Sequence, residues 1–373
     1  MNNDLKINLI GEDISNLFLA FLLLKKGFKV QVFQKYNSSN NKRTKKIYFI
    51  SHSTKLILDN LNLWSQLKDK AYSIKSLSIS DISILKKVDI SFRDFFLKKS
   101  KPNNIGWTLC HSDLYDLLFN ELSKCKGLFS ELNVNVNSVI KDSYKNKIST
   151  LKKNFNNRLI IPLLSKNSNS SIEFTASLRG YIDNKHYTII SENGFVFFCP
   201  INKNLFRVKW IVKKSFLERN KIFDKNFFMD NLSTILPNGL MIDQIYGNLN
   251  ITPNYLDIFK PQSKSDNYLI IKKGSFQLLN LRLDGINLTF REVIFIYNQI
   301  KKININNKSN IGFLKLKFLI LKYFKLKIYA VFYELFTIDN HFLNFSKKII
   351  LYLFKKVRIL KKFMLKITIL NFN

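Results

Sequence analysis

Apolar positions come in short, regular groups from the start of the chain. Lys6–Ile10 is a brief apolar run that Gly11 ends. Ile14–Lys26 carries Leu17, Ala20, Phe21 and Leu24 at helical spacing, which predicts a helix with one apolar face. Gly27 follows as its C-cap, where a residue without Cβ takes the left-handed conformation most easily. Lys29–Phe33 alternates toward β-branched residues and predicts a second strand. Strand, helix and strand within about thirty residues make a right-handed βαβ unit with parallel strands. Further along, Leu114–Leu122 and Leu288–Ile300 predict helices, and Gly194–Val212 predicts a β-hairpin.

A βαβ unit suggests a ligand, because the turn after its first strand can cradle a dinucleotide pyrophosphate. The pattern that does so is G-x-G-x-x-G. This chain has Gly11-Glu12-Asp13-Ile14-Ser15-Asn16, which keeps only the first glycine. Asp13 stands where the backbone should come closest to the phosphates. A carboxylate 4 Å from a phosphate charge costs about 4 kcal/mol at an effective dielectric near 20, roughly a thousandfold in affinity. At the end of the second strand, where an acid binds ribose hydroxyls, stands Gln34, a weaker acceptor than a carboxylate. A unit with an empty site and a unit with an altered one both remain open.

Several segments resemble, in order along the chain, the FAD-dependent aromatic hydroxylases of ubiquinone biosynthesis. Lys46-Ile47-Tyr48-Phe49-Ile50-Ser51, Ser53 and Leu58-Asp59-Asn60-Leu61-Asn62-Leu63-Trp64 resemble that family's RALALS.S…LL..LGLW stretch. Ser78-Ile79-Ser80-Asp81 is similar to the strand that follows it, and Gly106-Trp107 to its GY segment. The hairpin Gly194–Val212 is similar to GPLALLPL…..VW. Gly285-Ile286-Asn287-Leu288 with Arg291-Glu292-Val293 resembles GLNLGLRDV, and Phe336, Asp339 and Asn340 resemble LFS-N.

The resemblance implies an α/β fold like that of p-hydroxybenzoate hydroxylase. An FAD/NAD(P)-binding, Rossmann-like three-layer domain (1–82, 106–172 and 263–300) would be interleaved with an antiparallel β-sheet substrate domain (83–105 and 173–262). A basic amphipathic helical tail, 301–373, would follow. The implied activity is hydroxylation of a lipophilic prenylated phenol, with NAD(P)H or another donor reducing the flavin. The cofactor would carry the chemistry while the protein binds and excludes water. Gly285 and Asn287 would sit near the isoalloxazine, although Asn287 can equally be read as the N-cap of Leu288–Ile300.

Three flavin motifs depart from the family. Besides the glycine turn, Leu164-Ser165 stand at the positions of an Asp-Gly pair. Lys272-Lys273 replace Gly-Asp after the strand Tyr268–Ile271, and Leu279-Asn280 replace His-Pro. Lysine has only donors and cannot accept the ribityl hydrogen bond the family's Asp takes, though it can hold phosphates by charge. Lys46 and Ser112 replace two arginines, and Lys46 lacks the guanidinium fork. Two readings follow: a hydroxylase that holds flavin unconventionally, or a degenerate homologue that has lost flavin and serves as a structural partner in a quinone-biosynthesis complex.

Charge changes the picture mainly at the C-terminus. The 373 residues carry a formal net charge of +34. Lys, Asn, Ile and Phe are heavily used while Gly and Pro are scarce, which is what an AT-rich coding bias produces. The charge also favours anionic partners whatever its origin. In Phe345–Leu370, Lys347, Lys348, Lys355, Arg358, Lys361, Lys362 and Lys366 fall on one side at helical spacing. Ile349, Leu353, Val357, Leu360, Phe363, Met364 and Ile367 fall largely on the other. Such a helix lies on an anionic membrane surface or packs its apolar side on the FAD domain. The expected location is cytoplasmic, peripheral to the inner membrane. No signal peptide and no uncharged apolar run near the ~20 residues of a spanning helix is visible. Nucleic acid is the weaker partner: no zinc, helix-turn-helix or RNP motif is present, and Lys far outnumbers Arg. Cys110, Cys125 and Cys199 are too scattered for a disulfide framework, and His52, His111, His186 and His341 have no metal-ligand spacing.

Overall fold

The computed structural model describes residues 6–10, 14–33, 46–82, 88–91, 104–125, 128–129, 170–180, 184–212, 216, 225–236, 240–253 and 285–301, with six positions between 349 and 359. The βαβ unit forms as expected. Strand β1 (Lys6–Ile10) pairs in parallel with β2 (Lys29–Phe33), joined by helix α1 (Ile14–Lys25). Gly27 has φ +89° and ends the helix in the left-handed conformation. The short β8 (Leu128–Phe129) adds in parallel to β2 and gives the sheet order β1-β2-β8.

Helix α1 is buried almost all round, not on one face alone. Ten of its twelve residues are buried, including Phe18, Leu19, Leu22 and Leu23, which lie off the predicted face. Two helices cover what the sheet does not: α4 (His111–Ser123) and α6 (Gly285–Ile300). The rings of Phe18 and Phe290 meet at a tilt with centroids 4.1 Å apart. Beyond this helical layer lies a second sheet, ordered β3 (Ile47–Ser51), β7 (Gly106–Cys110), β4 (Tyr72–Ile74). Helix α6 packs on β3, and α4 on β7. The short helices α2 (His52–Asn60) and α3 (Trp64–Leu67) complete this core.

The other large element is a seven-stranded sheet of order β13-β9-β12-β11-β10-β5-β6. Its strands are β5 (Ser76–Asp81), β6 (Val88–Ser91), β9 (Ser170–Arg179), β10 (Lys185–Ser191), β11 (Gly194–Pro200), β12 (Leu205–Val212) and β13 (Met241–Pro253). All neighbours are antiparallel except β5 and β10, which run parallel. The hairpin expected at Gly194–Val212 is β11–β12. The sequence division after residue 82 leaves β5 with the nucleotide-binding unit, whereas β5 is hydrogen-bonded into this sheet.

Side chains alternate across the sheet. Phe174, Val196, Phe198, Val208 and Trp210 form a core with Phe228 and Leu232 of helix α5 (Lys225–Ser233). The opposite face is also buried, and at one corner the ring of His186 meets Phe49 of β3 edge-on, 6.3 Å between centroids. The two sheets are stitched there by side chains. Thr108 Oγ1 donates to the Pro200 carbonyl at 2.6 Å, and the Tyr72 hydroxyl donates to Asn184 Oδ1 at 2.6 Å.

Candidate functional site

Strand β3 runs straight into helix α2, and Ser51 is the hinge between them. Its φ/ψ of −72°/159° is extended, and its hydroxyl caps α2 by accepting from the Thr54 N–H at 3.3 Å. The hydroxyls of Ser53 and Thr54 lie 3.0 and 3.2 Å from Ser51 Oγ. The first turn of α6 closes over this junction. Asn287 is fully buried. Its amide Nδ2 donates to the Phe49 carbonyl at 2.7 Å, and its Oδ1 accepts from the Ser51 N–H at 2.9 Å. One side chain thus pairs with β3 as a neighbouring strand would. One turn on, Arg291 Nη2 donates to Ser53 Oγ at 2.7 Å. Gly285, without a side chain, opens α6.

Asn287 does not cap α6. Helix α6 starts two residues earlier, so Asn287 lies inside the first turn and is not the N-cap. Its two bonds to β3 position the helix start. The cost of breaking them is large because both partners are buried.

An aromatic cluster flanks the junction. His52 stacks on Trp107 at 6.2 Å, and Trp64 meets Trp107 edge-on at 5.1 Å. Burial lowers the His52 pKa below its ordinary value, and the Lys55 charge adds to this more than Asp59 offsets it. Both effects favour the neutral ring.

A second cluster lies at the other end of β3. Lys46 and the start of α4 are adjacent, because the His111 N–H donates to the Lys46 carbonyl at 2.8 Å. The structure thus brings together Lys46 and the neighbourhood of Ser112, the two positions where the resemblance implies arginines. Lys46 Nζ lies 5.4 Å from the Tyr48 ring centroid, within cation–π range. The Tyr48 hydroxyl is 2.8 Å from His111 Nδ1, and His111 stacks on Tyr115.

The third feature was not foreseen. On the sheet face shared with His186, Glu173 of β9 sits between two cations of β12. Its Oε2 is 3.1 Å from Arg207 Nη2 and its Oε1 3.1 Å from Lys209 Nζ. Lys209 and Arg207 are 4% and 8% exposed. Burial alone would raise the Glu173 carboxyl, but Lys209 and Arg207 together outweigh it and hold the pKa below its ordinary value. Beside them on this face, Phe195 and Phe197 lie nearly parallel with centroids 6.5 Å apart. The sequence signal was two charges, spaced two apart, inside the otherwise apolar strand LFRVKWIV.

Gly11, Gln34, Lys272 and Lys273 lie outside the described residues, as do Leu164, Ser165, Leu279 and Asn280. Among the described residues no group of His, Cys, Asp and Glu could hold a metal ion. Cys110, Cys125 and Cys199 are not in disulfides.

No family model and no curated protein matches this sequence. Solved structures do. The p-nitrophenol 4-monooxygenase PnpA from Pseudomonas putida DLL-E4 superposes with a TM-score of 0.63 at 10% identity, covering 98% of each chain. The flavin-dependent halogenase CmlS superposes at 0.62 with 14% identity, covering 91% of this chain and 66% of that one. An HpxO variant from Klebsiella pneumoniae in complex with FAD gives 0.57 at 8% identity over 97% and 98%. At such identities the shared property is the fold. This chain has the α/β architecture of the FAD-dependent monooxygenases and halogenases.

Proposed function

We propose that this chain is a divergent FAD-dependent aromatic-ring hydroxylase acting on a prenylated phenol in ubiquinone biosynthesis. The observation that carries the reading is the α6–β3 junction. Within a fold shared over nearly the whole chain with FAD-dependent monooxygenases, a glycine opens a sixteen-residue helix. Asn287 then locks that helix start to β3.

At the ring end the described residues fit a flavin. Gly285 leaves the helix start open to close approach, and the backbone N–H groups of the first turn of α6 lack intrahelical partners. They would hold the ring. When bound, FAD supplies oxygen activation, with NAD(P)H as its reductant. The chain's own part is placement. Asn287 fixes the height of α6, and Arg291 and Ser53 brace its next turn.

A second reading has its own support. The Asn287 amide is committed to Phe49 and Ser51, and Lys46 lies over Tyr48, so both are engaged within the protein. A homologue that has lost flavin and acts as a structural partner in quinone biosynthesis would look like this. The visible spectrum of the protein purified with riboflavin supplied, followed by FAD titration, separates the two. Near-stoichiometric flavin supports the hydroxylase. A colourless protein that does not bind FAD at high micromolar concentration overturns it and leaves the partner role.

A further inference from the structure

We propose that the exposed surface carrying Ile349, Tyr352, Leu353, Lys356 and Ile359 docks on an anionic lipid bilayer. Its described positions 349, 352, 353, 356 and 359 are helical, and the Val357 N–H donates to the Leu353 carbonyl at 2.7 Å. At 100° per residue, 349, 352, 353 and 356 share one stripe. That stripe faces solvent: Ile349 is 45% exposed, Tyr352 51% and Leu353 41%, with Ile359 on its flank at 78%. Of the apolar side that would otherwise pack on the nucleotide-binding unit, Ile349 and Leu353 are exposed. Lys356 Nζ lies 4.8 Å from the Tyr352 ring centroid, a cation beside an exposed aromatic ring.

The identity of the partner follows from charge. Residues 341–373 contain eight Lys and Arg and no Asp or Glu. Sequence spacing assigns Lys347, Lys348, Lys355, Arg358, Lys361, Lys362 and Lys366 to the side opposite the stripe. A second copy of this chain, itself carrying +34, repels such a face. A nucleic acid would neutralise the lysines but leave Ile349, Tyr352 and Leu353 in water. A bilayer satisfies both sides at once. The apolar stripe enters the acyl boundary, Tyr352 sits at headgroup depth, and the lysine stems reach back to anionic headgroups. No helix among the described residues is long and apolar enough to cross a membrane, so the contact is with the surface. The inference does not depend on flavin.

Sedimentation of the full chain with vesicles tests it, using phosphatidylcholine alone and phosphatidylcholine mixed with phosphatidylglycerol. Binding is expected to the anionic vesicles, at least tenfold weaker to the neutral ones, and to fall with added salt. Each basic residue near such a surface contributes about 1 kcal/mol, about fivefold. Changing Lys355, Lys356, Lys361 and Lys362 together to Gln is therefore expected to weaken binding several-hundredfold. The triple change Ile349→Ser, Leu353→Ser and Ile359→Ser alters exposed side chains only, and is expected to weaken it at least tenfold. Equal binding to both vesicle types overturns the proposal. So does indifference to the triple change, or salt-sensitive binding to an oligonucleotide with none to vesicles. The salt titration of the unaltered chain reads the electrostatic part without any substitution.

Discussion

Replacing Asn287 by leucine keeps the side-chain size and removes both bonds to β3. The Ser51 N–H and the Phe49 carbonyl then lose their partner in a place where water cannot follow, since Ser51 is 1% and Phe49 2% exposed. An unsatisfied buried polar group costs about 1–3 kcal/mol. The greater apolarity of leucine offsets part of the two penalties, so the net loss is about 2–4 kcal/mol. Asn287→Asp is the sharper probe. Its carboxylate still accepts from Ser51 but meets the Phe49 carbonyl oxygen with no proton to donate. Only the protonated acid restores that bond. The folded-state pKa of the new group is therefore raised above its unfolded value of about 3.9. A raised pKa contributes stability that is fully present below the unfolded value and lost as pH rises through the folded one. Relative to the unaltered protein, the aspartate variant should be least stable at neutral pH and recover on acidification. Urea unfolding followed by tryptophan fluorescence reads this, because Trp64 and Trp107 pack in the same unit. A leucine variant within about 0.5 kcal/mol of the parent, below the cost of one lost bond, would refute the clamp. An aspartate variant without the acid recovery would refute it as well.

Two further expectations concern the seven-stranded sheet. Glu173→Gln leaves Arg207 and Lys209 buried without their shared carboxylate, and should destabilise by about 3 kcal/mol at pH 7. Because the Glu173 pKa is depressed, its contribution is present above the unfolded value and lost as pH falls through the folded one. The gap between parent and variant should therefore close on acidification, as urea midpoints at several pH values will show. Gly194 turns β10 into β11 at φ +131°, and a Cβ there would stand 1.9 Å from the Ile211 carbonyl oxygen. Gly194→Ala should cost at least the 1–3 kcal/mol typical of one strained residue, roughly, plus the clash. Thermal unfolding checks this, and a variant as stable as the parent would contradict the hairpin geometry.

The parts of this fold that local periodicity encodes were legible in the sequence. The βαβ unit, the Gly27 cap, the β11–β12 hairpin and helices α4 and α6 all stand within a few residues of their expected bounds. What stayed hidden depends on residues far apart. Asn287 meets Phe49 and Ser51 across more than two hundred positions, and nothing local distinguishes a clamp from a cap or a ligand. The Glu173 pair with Arg207 and Lys209 exists only through the β9–β12 register, which a one-residue slip would abolish. Helix α1 was read as one-faced because its outer leucines look solvent-facing until α4 and α6 are placed on them. Of the site positions taken from resemblance, Lys46 lies beside the start of α4 and Asn287 bonds to β3.

The burial of α1 has a consequence for how the protein is made. Its cover includes α6, which spans Gly285–Ile300. Translation runs at about 5–20 residues per second. The segment FLAFLLL of α1 therefore leaves the ribosome roughly 15–55 s before its last covering helix exists. For that interval a nascent chain displays a helix that is apolar on every side. Its yield in the cell should depend on holding chaperones more than on the stability of the finished fold. Any truncation before residue 300 would leave that demand permanently unmet.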